Sequence, residues 1–140
     1  MKWNRNDLIP DTEIREKVTD VTVSFARRFG EHLAKKEDGF EPLTTTQLRR
    51  FFGEVKRQQL NGYNETEFVM LKPKLAYAVG RAKKDNKKYF KIEDFNFVIA
   101  KAIDCVVKSP DKDKAFRNFV YAFEAIVAYH KLNENNNPQQ

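Results

Sequence analysis

Two sets of cationic side chains recur at helical spacing in the middle of the chain, and their chemistry is that of holding phosphate. The first set is Arg49, Arg50, Lys56 and Arg57, grouped around Gly53. At about 100° per residue these five positions fall within an arc of about 120° on one helix. The second set is Lys74, Arg81 and Lys84, interleaved with Tyr77 and flanked by Pro73 and Gly80. Arg offers a planar fork of donors that matches phosphate oxygens, and Lys offers a compact point charge. A Tyr among such cations can stack on a base or sugar while its neighbours hold the backbone. Neither stripe carries Glu–Lys pairs four residues apart, so both read as surfaces for an external polyanion rather than self-neutralised faces. No side chains aimed at base edges can be picked out, so backbone contacts dominate the reading.

The charge distribution points the same way. The 140 residues carry a net charge of +6. Residues 44–91 hold 12 basic and 4 acidic side chains, whereas the segments before and after are each close to neutral. Other chemistries find little footing. His32 and His130 are far apart and lie on apolar helical periodicities, where packed or cap-proximal histidines are expected. Cys105 is the sole cysteine, which excludes an internal disulfide and a multi-thiolate metal site and suggests a reducing compartment. It sits in an apolar run and reads as core. Phosphate-loop, HExxH, dinucleotide and GxSxG patterns do not occur. The expectation is therefore no catalytic residue, no metal and no cofactor.

Positioning such stripes requires helices, and five are legible. The first is expected over about Thr12 to Lys36, with Ile14, Val18, Val21, Phe25, Phe29 and His32 inward. The second opens at Thr44 with a Thr–Gln capping box and buries Leu48, Phe51, Phe52, Val55 and Gln59. Asn64 caps the third, whose core face is Phe68, Leu71, Leu75, Val79 and Ala82. Pro73 lies inside that pattern and predicts either a kink near Leu71 or a short turn at 65–71 followed by the main helix. The fourth runs from about Ile92 to Lys108. The fifth starts at Ser109-Pro110, Ser as cap and Pro at the first helical position, and ends near Leu132. That last helix is apolar on two sides. Phe116, Phe119, Val120, Phe123 and Ile126 form one, and Tyr121, Ala125 and Tyr129 belong to a second that either packs centrally or meets a protein partner.

The fold class is thus all-α, a compact bundle of about five helices, with twelve Phe to fill it. One helical domain is expected over 1–132 and a disordered polar tail over 133–140. The polar start and the lack of a long apolar run predict no signal peptide, no membrane association and a cytoplasmic protein.

Two segments carry a family resemblance. Thr44-Thr45-Thr46-Gln47-Leu48-Arg49-Arg50-Phe51-Phe52 resembles the TT-x-LR-x-F signature of the small subunit of type III-A CRISPR effector (Csm) complexes. Leu71-Lys72-Pro73-Lys74-Leu75-Ala76-Tyr77-Ala78-Val79-Gly80-Arg81 is similar to that family's LKPKLAYAxGR segment. The resemblance implies a non-catalytic antiviral-defence subunit. Its copies would stack beside the backbone filament, and its partners would be guide RNA, target RNA and the other subunits. It adds Lys72 to the RNA-contact candidates and singles out Arg49, Arg50, Lys74 and Arg81 as matched motif positions. The alternative from a different class is a helical DNA-binding transcriptional regulator, which would need a recognition helix and a preferred duplex sequence.

Overall fold

A computed structural model of the chain describes residues 3–37, 40–84 and 90–134. Seven helical segments follow one another among them: α1 Asp11–Arg15, α2 Asp20–Ala34, α3 Thr45–Asn61, α4 Glu65–Val69, α5 Leu71–Lys84, α6 Phe90–Val107 and α7 Lys112–Asn133. Five of these are substantial, and α1 and α4 are single turns. The architecture is an all-α bundle, as the periodicity predicts. Its sole non-helical pairing among the described residues is an isolated antiparallel bridge between Glu37 and Phe40.

The bundle is organised around α7. One side of that helix presents Phe116, Phe119 and Phe123 to a set of aromatic rings from three other elements. Phe68 of α4 meets Phe119 edge-on at 5.0 Å, Phe95 of α6 meets Phe123 at 5.7 Å, and Phe52 of α3 meets Phe123 at 5.4 Å. Edge-to-face rings add specificity beyond the area they bury. The other side of α7 receives α1 and α2. Asn118 Nδ2 donates to the Ile14 carbonyl at 2.9 Å, and His130 Nε2 donates to the Leu43 carbonyl at 2.6 Å.

The first expected helix is two. Glu13 is buried, and its carboxylate accepts from the Thr19 N–H and hydroxyl and from the Thr22 N–H and hydroxyl, at 2.6–3.1 Å. Thr19 is then free to cap α2, its hydroxyl accepting from Val21 N. The break turns Val21 out to solvent, although the unbroken periodicity predicted it inward.

Three other boundaries also differ from the sequence reading or decide between its options. Met70 separates α4 from α5, so the short-turn alternative holds, and Pro73 falls in the first turn of α5 where a missing donor costs nothing. Asp111, not Ser109, caps α7. Ser109 is buried and its hydroxyl donates to the Cys105 carbonyl at 2.7 Å, closing α6 instead. Helix α7 runs to Asn133, and Glu134 is held by Lys131 and Thr45. Residues 135–140 lie outside the described residues, as do 85–88 of the Lys83–Lys88 cluster.

The polar leader is an integral strap. Trp3 is buried against Phe29 and His32 with ring centroids 4.9 and 4.8 Å away. Asp7 accepts two hydrogen bonds from Arg28, and Arg5 donates to the fully buried Asp94 at 2.9 Å.

Candidate nucleic-acid interface

The α3 face begins with a satisfied N-terminus. Gln47 N donates to the Thr44 hydroxyl at 3.0 Å, and Thr44 N donates to Gln47 Oε1 at 2.9 Å, a reciprocal capping box. Leu48 and Val55 then anchor the helix inward with Phe51 and Phe52 half-buried, which turns Arg49, Arg50 and Gly53 to solvent. The inward stripe ends on Gln58 rather than the expected Gln59. Gln58 Nε2 reaches Glu54 Oε2 at 3.0 Å and the Glu67 carbonyl at 3.2 Å beneath α4. Gly62 closes the helix with φ at 89°, a conformation suited to glycine.

Leu71, Leu75 and Val79 anchor α5 in the same manner. Tyr77 is 69% exposed on the outer side, with Lys74, Gly80, Arg81 and Lys84 also exposed. A Cβ added at Gly53 or at Gly80 would meet nothing within 4 Å. Both glycines therefore keep the cationic surface low without any internal packing reason.

Glu54 joins the two stripes. It lies one turn beyond Arg50 on α3, and its Oε2 stands 3.7 Å from Lys74 Nζ on α5. The two helices approach each other at this pair, and α4, which lies between them in the chain, packs against both.

The candidates differ in how free they are. Arg49, Arg50, Arg81 and Lys84 are exposed and make no ion pair among the described residues. Lys56 lies half-buried, its ammonium 5.8 Å from the centre of the Phe52 ring. Arg57 is bound internally. Its Nε and Nη2 donate to the two Glu54 oxygens at 3.1 and 2.7 Å, and Nη2 also donates to Glu67 at 2.7 Å. The hydrogen bonds from Arg57 foremost, then Gln58, pull the Glu54 carboxyl down to about 2 against the effect of burial. Lys72 donates to Asp104 Oδ1 of α6 at 2.7 Å.

Neither stripe carries a Glu–Lys pair four residues apart, but part of the cationic surface is neutralised internally by other routes. Glu54 pairs three residues away from Arg57 rather than four, and Glu67 and Asp104 arrive from other helices. The first partner was visible in the sequence as a close Glu–Arg spacing. The other two carry no local signal.

On α7, Tyr121 is 51% exposed, but Ala125 and Tyr129 are half-buried. Arg27 of α2 stands 5.4 Å from the Tyr129 ring centre, and Gly30 packs directly on Tyr129. Part of the second apolar side is thus covered by α2, leaving Tyr121, Ala128 and Leu132 outward.

The histidines and the cysteine are held in internal surroundings away from the two cationic faces. His32 is buried, donating from Nε2 to Asp94 at 2.8 Å and accepting from Lys91 at Nδ1 at 3.2 Å. Burial holds His130 below the usual histidine range. Cys105 lines a cleft of about 290 Å³ with Leu8, Ile14, Val98 and Ala102, and burial foremost pushes its thiol up to about 11. No group of three or more His, Cys, Asp or Glu among the described residues could hold a metal ion. No helix among them is long and apolar enough to cross a membrane.

A family model described as Csm2 Type III-A matches residues 16–136, which include both cationic helices and all of the aromatic core around α7. The chain belongs to the Csm2 type III-A family. It is thus a small subunit of the type III-A Csm complex and assembles with that complex's other subunits. The Csm2 match begins just after α1, so the leader strap and α1 lie outside it although they pack on the same bundle. No curated protein and no solved structure matches the chain.

Proposed function

We propose that this Csm2-family chain is a non-catalytic structural subunit that binds guide and target RNA through sugar–phosphate contacts on the joined outer faces of α3 and α5. Arg49, Arg50, Arg81 and Lys84 are the primary phosphate contacts. Tyr77 offers a stacking surface between them, with Lys56 at the margin. Arg57, Lys72 and Lys74 contribute secondarily, since each already has an acidic neighbour. The single observation that carries the reading is the meeting of the two cationic stripes at Glu54, with their outermost cations unpaired among the described residues. The buried, hydrogen-bonded state of His32 and His130 supports a role without acid–base chemistry. Tyr121 and Leu132 are exposed large apolar side chains of α7 that could meet a neighbouring subunit. The chain's proposed place of work is the cytoplasm.

The test is a double charge reversal, Arg49→Glu with Arg81→Glu, assayed for binding to single-stranded RNA and for RNA occupancy of the purified complex. Binding is expected to fall at least tenfold with unchanged helicity. Retained binding in that variant overturns the reading.

A further inference from the structure

We infer that Glu54 restrains the cationic face, holding Arg57 and Lys74 in internal ion pairs so that its charge sets the affinity and salt dependence of RNA binding. The inference rests on the reading of α3 and α5 as an RNA-backbone surface. Glu54 is the sole acidic residue in α3, and α5 contains none, so the 31 residues of these two helices hold one carboxylate. That carboxylate sits where the two stripes meet. It occupies Nε and Nη2 of Arg57, the edge of the guanidinium that would otherwise grip a phosphate in two-pronged fashion, and stands 3.7 Å from Lys74. Glu67 takes Arg57 Nη2 as well. A phosphate arriving here must displace a carboxylate already in place, whereas at Arg49, Arg50, Arg81 and Lys84 it displaces only water and counterions. The face therefore has gripping cations at its edges and held cations at its centre, which limits binding to polyanions that also reach the edges.

The full chain with Glu54→Gln tests this by titration against a fluorescently labelled, unstructured single-stranded RNA over a range of salt concentrations. Each released cation should steepen the log–log salt dependence by about 0.7, so two give roughly a tenfold gain in affinity near 0.1 M salt. Glu124→Gln, an exposed position on α7, makes the same change in net charge elsewhere and is expected to alter affinity less than twofold. Equal responses of the two variants, or no gain from Glu54→Gln, overturn the inference. If Glu54→Gln loses helicity, Glu67→Gln releases one of the bonds to Arg57 without touching Glu54 and should give a gain of about two- to threefold. No gain there overturns it equally. The function reading fails separately, when the Arg49/Arg81 reversal leaves RNA binding intact.

Discussion

Gly30 of α2 lies so close to Tyr129 of α7 that a Cβ built on it would stand 2.7 Å from the tyrosine Cβ and 2.8 Å from the His130 nitrogen. Two helices touch backbone to backbone here, within the most extensive helix–helix contact among the described residues. In a helix interior, Gly→Ala ordinarily gains up to about 1 kcal/mol. At position 30 the sign should reverse, because the atoms in the way are backbone and Cβ rather than a flexible side-chain end. Overpacking of this kind costs about 1–3 kcal/mol. Gly30→Ala is expected to lower Tm by several degrees in a thermal melt, and an unchanged or raised Tm would contradict the close approach.

Glu13 stabilises the break between α1 and α2 only while ionised. Burial pushes its carboxyl up, but hydrogen bonds from Thr22 and Thr19 outweigh this and hold it below its ordinary value of 4.5. A depressed folded value means the contribution is complete above 4.5 and fades as pH falls through the folded value. Glu13→Ala should cost about 1–3 kcal/mol at neutral pH, since it strips partners from the Thr19 N–H and two hydroxyls. Denaturant melts of both proteins should show that gap narrowing below pH 4.5. A gap that stays constant down to pH 2 would assign the loss to packing instead.

Cys105 is expected to resist alkylation. Burial, and then the nearby Asp11 carboxylate, raise the thiol to about 11, and only the thiolate is an effective nucleophile. With iodoacetamide at pH 8 the native chain should label much more slowly than the same chain in denaturant. Comparable rates would mean that the cleft beside α1 opens readily.

What the sequence disclosed and what it concealed divide along the range of the interaction. The Thr44–Gln47 box and the Asn64 cap, whose side chain accepts from Glu67 N, are made within three residues and were legible. So were the inward faces of α5 and α7, because apolar periodicity records burial directly, whereas the fully buried Lys91 and Asp94 of α6 lie outside any apolar pattern. Glu13 acts six and nine residues ahead, and the run Ile14–Val18–Val21 masks the interruption it causes. At 109–111 two good caps compete, and the choice is made by the hydroxyl of Ser109 turning back to Cys105. The cationic stripes were visible as stripes. Which cations are already engaged was not, since Lys72 meets Asp104 across 32 positions and Arg57 meets Glu67 across 10.

Gly53 and Gly80 supply the sharpest contrast with Gly30, because a side chain at either would enter open space. Gly53→Ala and Gly80→Ala should each stabilise the fold by up to about 1 kcal/mol, or roughly 3–4 °C in Tm. A glycine that lowers helix stability without serving internal packing has its reason outside the chain. If that reason is the approach of an RNA backbone between Arg49 and Lys56 on one helix and between Tyr77 and Arg81 on the other, then bulk matters and charge does not. Gly53→Leu with Gly80→Leu keeps every cation, and both side chains have room in the free protein. Helicity should be retained while RNA affinity falls about tenfold, as read by the same titration used for the charge variants. Unchanged affinity in the double leucine variant would show that the bound strand stands off from both helices and touches only the tips of the long basic side chains.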